Sequence, residues 1–158
     1  MGKSNILQIG HPIYNNPAKI VEIVDENIFN IIKHMNDELD NTPKAVGLAA
    51  NQIGFPVRII ALNYNQRKLF INPEIIYTEG KQITSEACGS IEGVWCELER
   101  PKIIKLYYYD YNLKCHIKEF SNIEAWIIAH EIDHLNTVFI TDKAIKIHKC
   151  EIYNEFWK

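Results

Sequence analysis

Two histidines four residues apart, His130 and His134, enclose a glutamate in the stretch HEIDH. On a helix, positions four apart lie one turn apart on the same face, so both imidazoles can reach one cation, and Glu131 sits beside them without competing for that face. Such a set supports metal-assisted hydrolysis, in which an ion activates a water and a carboxylate carries its proton. A lone H-E-x-x-H also arises by chance on a charged helix, so a third ligand has to be found. Extended zincin proteases need Gly and His where this chain has Thr137 and Ile140, which excludes that class. A thermolysin-like glutamate would be Glu151 or Glu155, in a short tail with little room for another helix. Upstream, EACGS sets Cys88 after an acid and before a glycine, where a thiolate can reach a metal held by a nearby helix.

The helix carrying the histidines has its own signals. SNIE at its start fits a capping box, with Ser121 as cap and Glu124 reaching back. Ile123, Trp126, Ile127, His130 and His134 then follow at spacings of three and four, so an apolar stripe runs into the histidines and points them inward. Ile123, Trp126 and Ile127 form an apolar wall beside the site. A second amphipathic helix is predicted over residues 25–39, with Ile28, Ile31, Ile32, Met35 and Leu39 on one face and acids in its first turn.

Between the helices, NTPKAVGLAANQIGFP mixes turn residues with small ones and reads as a loop. VRIIALNY, KLFINPEIIYT, KIIKLYYYDYN and CHIKEF read as strands, the tyrosine run placing its rings on alternating faces. Hairpin-length connections without helical crossovers predict a mostly antiparallel sheet and an α+β fold.

Composition bounds the function. With 158 residues, 47% of them hydrophobic and 23% charged, the chain is expected to be a single catalytic domain over residues 1–158. A net charge of -3 offers no basic surface for nucleic acid. No run of about 18 apolar residues spans a bilayer and the first residues lack a signal-peptide core, which predicts a cytoplasmic protein without membrane contact. Cys96, Cys115 and Cys150 show no C-x-x-C spacing and read as small buried hydrophobes, and His11, His34, His116 and His148 have no partner at ligand spacing.

Three separated motifs agree with one family. The pattern G-Φ-G-Φ-A-A-x-Q, with Φ apolar, is similar to AVGLAANQ at residues 45–52; E-G-C-L-S is similar to EACGS at 86–90; H-E-x-D-H is met by HEIDH. In order and spacing the chain resembles the peptide deformylases, metal hydrolases that remove the formyl group from N-formylmethionyl peptides. The likeness runs from NILQIGHP to FITDKA, and Arg100 falls where the family carries an arginine. It implies a deformylase-like fold, with antiparallel sheets around a central H-E-x-x-H helix and an N-terminal surface helix. It implies Cys88, His130 and His134 as ligands of one divalent metal, Fe²⁺ natively with Zn²⁺ or Ni²⁺ able to replace it, and a fourth position open to water. Glu131 would serve as general base and then acid, while the Gln52 amide and the Gly89 backbone N–H receive the oxyanion. The peptide would lie along Val46, Gly47 and Ala87, with its methionine against the apolar wall. Its natural substrates would be nascent chains at the ribosome.

Departures gather near that peptide path: Ala45 and Ala87 replace glycines, Gly89 replaces leucine, Glu92 a proline, Ala129 a glutamine, and HPIYNN has Asn15 where HPIL is followed by arginine. Gly89 is expected to loosen the strand beside Cys88 and weaken turnover. Two other readings are a hydrolase of another N-acyl peptide and a non-catalytic, metal-containing peptide-binding paralogue. The intact Glu131 and Gln52 disfavour the paralogue, since a binding module needs neither.

Overall fold

The structure, a computed structural model, describes residues 5–149. Helix α1, Glu26–Asn41, starts where Asp25 accepts a hydrogen bond from the Ile28 N–H at 3.0 Å. This satisfies one of the amide donors that every helix start leaves open. The predicted stripe of Ile28, Ile31, Ile32, Met35 and Leu39 is its buried face. It packs onto Leu48, Ile59, Ala61 and Ile71 of the sheet.

The segment expected to be a loop instead holds strand β1, Gly47–Ala49, and a 3-10 turn, Ala50–Ile53, closed by Gly54 at a left-handed φ of 95°. Its small residues carry little strand propensity, but β1 pairs in antiparallel register with β2, Ile59–Tyr64, from Gly47 opposite Leu62 to Ala49 opposite Ile60. Tertiary pairing overrides the local preference here.

The predicted strands KLFINPEIIYT and KIIKLYYYDYN are the inner parts of one long hairpin, β3 over Gln66–Cys88 and β4 over Ile91–Tyr109. Its outer half escaped the hydrophobic pattern because Thr84, Glu86 and Cys88 fill the buried positions of β3. Strand β5, Cys115–Ser121, pairs with β4 on one side. All strand pairings named in the sheet are antiparallel, in the order β1-β2-β3-β4-β5. Register shifts interrupt β3 and β4 between Ile71 and Glu74, between Ile75 and Tyr77, and between Ala87 and Cys88. At the first, Asn72 turns to φ 49° and its amide both accepts from the Val21 N–H and donates to the Val21 carbonyl, each at 2.8 Å.

Helix α2, Asn122–Leu135, lies on the sheet with Ala125, Ile127, Ile128 and Leu135 in one core with Ile60, Phe70 and Ile104. The predicted capping box does not form. Ser121 makes no side-chain cap bond, Asn122 takes a left-handed φ of 52°, and Glu124 pairs with Lys68 of β3. An ion pair to the sheet has replaced the local bond. The short α3, Ile140–Lys143, and β6, Lys146–Lys149, follow, with β6 adding to the outer half of β4.

The tyrosines alternate as expected: Tyr108 is buried edge-on to Phe70 at 4.8 Å, whereas the Tyr107 hydroxyl donates to that of Tyr109 on the other face at 2.7 Å. Cys96 is buried, but Cys115 is exposed, since it opens β5 at the end of a hairpin. Cys150, Glu151 and Glu155 lie outside the described residues. His116 and His148 have carboxylate partners, Asp110 at 2.8 Å and Glu97 at 2.9 Å. Replacing Asp25 with alanine is expected to cost about 1 kcal/mol, read as a lower urea midpoint at unchanged m-value.

Candidate metal centre

The end of β3 and the middle of α2 bring three donors together. Cys88 Sγ lies 3.1 Å from His134 Nε2, and that nitrogen lies 3.2 Å from His130 Nε2. The three ligand atoms fall within 4.8 Å of one another and all three residues are buried. Two nitrogens bound to one tetrahedral ion would stand about 3.4 Å apart, so the imidazoles have the spacing of a ligand pair. One thiolate and two imidazoles suit a divalent first-row metal.

The ring of His130 is held from behind. Its Nδ1 donates to Glu86 Oε2 at 2.7 Å, which leaves Nε2 to present a lone pair to the cluster. Glu86 also accepts Arg100 Nε and Nη2, each at 2.8 Å, and the Thr84 hydroxyl at 2.6 Å. Burial alone would raise the Glu86 carboxyl, but hydrogen bonds from Arg100 and His130 bring it down to about 2. The anion is therefore permanent at neutral pH. Arg100 reaches on through Nη1 to Asp133 at 2.5 Å, and Lys143 reaches the other Asp133 oxygen at 2.7 Å. Strands β3 and β4 and helices α2 and α3 are thereby joined by one charged chain.

His134 is fixed through its backbone, whose carbonyl accepts from Asn51 Nδ2 at 2.6 Å. Burial would push the Cys88 thiol up, but the charge of His134 and hydrogen bonds from both histidines carry it well below the ordinary thiol range. Glu131 shows the opposite balance. Burial raises its carboxyl, the two histidines offset this only in part, and its Oε2 has no hydrogen-bond partner among the described residues.

Gln52 stands across the cluster. Its Oε1 accepts the Ala49 N–H at 2.9 Å, which turns Nε2 toward Ser90 Oγ at 3.2 Å and Cys88 Sγ at 4.0 Å. Gly47 lies against Glu131, where a Cβ would come within 2.5 Å of Glu131 Oε1 and 2.9 Å of Ile127. Ile127 is thus buried at the site, Trp126 is half-buried on the same core, and Ile123 is 41% exposed two turns before the histidines. Val46 and Ala87 are exposed on β1's approach and the last turns of β3, and the Gly89 carbonyl accepts from Gln8 Nε2 at 2.9 Å. Ala45 keeps a negative φ, so its methyl costs the loop nothing.

The polypeptide deformylase model matches residues 3–150. The peptide deformylase of Thermoanaerobacter pseudethanolicus is 39% identical over 142 residues, covering 89% of each chain. The crystal structure of peptide deformylase from Thermotoga maritima superposes with a TM-score of 0.85 at 31% identity, over 92% of this chain and all of that one. A peptide deformylase from Synechococcus elongatus, solved in complex with actinonin, gives 0.85 at 30% identity over 92% and 82% of the two chains. This chain belongs to the polypeptide deformylase family. It is accordingly a deformylase-class hydrolase of metal-dependent lineage, and the three-donor cluster agrees with that.

For a deformylase, the residues that sequence reasoning passed over are those behind the cluster. Glu86, Asp133, Ser90 and Tyr14 appeared only as letters of quoted motifs, and Arg100 only as a family match. For Glu86, its position two residues before the motif cysteine, on the same face of an alternating strand, was the available signal. Gly47→Ala is expected to push the Glu131 carboxylate aside. Formate release should fall at least about tenfold while the protein still binds one metal equivalent, measured by steady-state kinetics and metal analysis.

Proposed function

We propose that residues 1–158 act as one catalytic domain that hydrolyses the N-formyl group of N-formylmethionyl peptides, the cytoplasmic nascent chains presented at the ribosome. Cys88, His130 and His134 would hold one divalent ion, Fe²⁺ natively, with Zn²⁺ or Ni²⁺ as substitutes. Such an ion, when bound, acts as a Lewis acid that lowers the pKa of water toward about 7.

The observation that carries this reading is the buried Glu131 carboxylate, raised above its usual range and with Oε2 unpartnered among the described residues, next to three converging donors. Glu131 takes the proton of the attacking water and then delivers it to the amine nitrogen as the formyl C–N bond breaks, giving formate and the free peptide. Gln52 Nε2 and the Gly89 N–H donate to the carbonyl oxygen as negative charge gathers on it. A neutral amide suits this task, since it stabilises an oxyanion without itself attracting the nucleophile.

The sheet also leaves room for an extended peptide. Among the described residues β1 pairs only with β2, and β2 in turn meets β3 no further than Ile71, which leaves edges near Val46, Gly47 and Ala87 for a substrate backbone. Ile127 and Trp126 then offer an apolar wall to the methionine, with Ile123 at its outer end.

With iron-loaded protein purified without oxygen, formate release from N-formyl-Met-Ala-Ser is expected, and Glu131→Ala should reduce kcat by at least about 10²-fold with metal retained. Stoichiometric metal in the wild-type protein without formate release would overturn the assignment. Gly89 has no left-handed φ, and a Cβ there would meet Ile6 at an ordinary 3.4 Å. Gly89→Leu is therefore accommodated by the backbone and should raise kcat/KM about threefold by stiffening the segment next to Cys88.

A further inference from the structure

Tyr14 stands outside the metal cluster, in a 3-10 turn over Pro12–Asn15, with its buried ring edge-on to Phe139 at 5.0 Å. It follows His11, Pro12 and Ile13 in HPIYNN. That hydroxyl lies 2.9 Å from the Leu7 carbonyl oxygen and 3.2 Å from Ser90 Oγ. Ser90 is fully buried, and its Oγ is 3.2 Å from Gln52 Nε2.

Only one assignment of protons satisfies these contacts. A carbonyl oxygen can only accept, so the phenol proton goes to Leu7. The Ser90 proton then goes to the Tyr14 oxygen, because Gln52 Nε2 has no lone pair to offer. Ser90 Oγ in turn accepts one N–H of the Gln52 amide. The Ala49 N–H, 2.9 Å from Gln52 Oε1, prevents the amide from turning over. One N–H of Gln52 is thus engaged by Ser90, and the other is left facing the cluster beside Cys88 Sγ.

The same segment holds the backbone. The Leu7 N–H donates to the Gln52 carbonyl at 2.7 Å and the Ile9 N–H to the Ser90 carbonyl at 2.8 Å. Burial holds the Tyr14 phenol up at about 12, so the direction of the relay does not change through neutral pH.

We propose that Tyr14 is a positioning residue for the reaction: through Ser90 and Leu7 it orients the Gln52 amide so that one N–H meets the oxyanion. This rests on the role given to Gln52 above. Removing the phenol oxygen would free the Ser90 hydroxyl to rotate, and Gln52 would lose its fixed acceptor. Ring packing against Phe139 would survive in phenylalanine, so the loss is specific to the oxygen.

The test measures kcat and KM for formate release from N-formyl-Met-Ala-Ser with iron-loaded Tyr14→Phe, Gln52→Leu and the double variant. Metal content and thermal midpoint are followed in each. Tyr14→Phe is expected to lower kcat about five- to tenfold with KM within about twofold and metal stoichiometry intact, the pattern of an interaction made in the transition state. In the Gln52→Leu background the same change should cost less than about twofold, because its target is gone. Wild-type kcat in Tyr14→Phe, a rise in KM alone, loss of metal, or a full multiplicative loss in the double variant would each overturn the relay. Wild-type kcat in Gln52→Leu would instead sink the oxyanion role of Gln52, and the relay with it. If Tyr14→Phe fails to fold, Ser90→Ala carries the test with the same expected kcat loss and the same dependence on Gln52.

Discussion

The buried carboxylate of Glu86 is the constraint from which the site follows. A lone anion in the interior would be costly and would take up a proton instead. Glu86 avoids this because Arg100 grips both of its oxygens, while Thr84 and His130 supply the remaining donors. Two consequences follow from the same bonds. The hydrogen bond to His130 sets which ring nitrogen is protonated, and the continuation through Arg100 to Asp133 ties α2 to the β3–β4 hairpin. Positioning of the helix and preparation of its first histidine are one interaction.

A second constraint is the absence of side-chain volume at Gly47. Strand β1 passes so close to α2 that Glu131 and Ile127 occupy the space a Cβ would need. Glu131 is thereby enclosed and dehydrated, which accounts for the upward displacement of its carboxyl. The sheet edge and the Glu131 carboxylate are brought together by a missing methyl group. On the far side of the cluster, Gln52 is held from both ends, by Ala49 and by Ser90.

Much of this was legible in the sequence where periodicity carries information. The stripe of α1 repeats at three and four residues, so its buried face could be read directly. On α2 the same spacing found the buried Ile127, His130 and His134 but also Ile123, which is exposed, and missed the buried Ala125, Ile128 and Ile132. Where burial selects polar residues, the pattern disappears: Thr84, Glu86 and Cys88 alternate correctly along β3 yet look like a solvated segment. β1 was hidden for a different reason, since its glycine and alanine are chosen for close approach and not for strand propensity. Ser121 and Glu124 carry the letters of a capping box, but Lys68 from a distant strand competes for the glutamate. Cys88 itself showed only a favourable neighbourhood, and the resemblance of three linked motifs made it a ligand candidate.

Cys88 and His134 touch across 46 residues of chain, with all of β4, all of β5 and nearly all of α2 between them. The two histidines share a helical turn and can meet as soon as that turn forms, but the sulfur arrives only after the long hairpin has closed upon the helix. A cation that needs all three donors would therefore bind the finished fold and not its parts, acting as a clasp across a large loop. Its binding free energy adds to the resistance of the whole chain to unfolding, and stripping it would loosen the joint between hairpin and helix first.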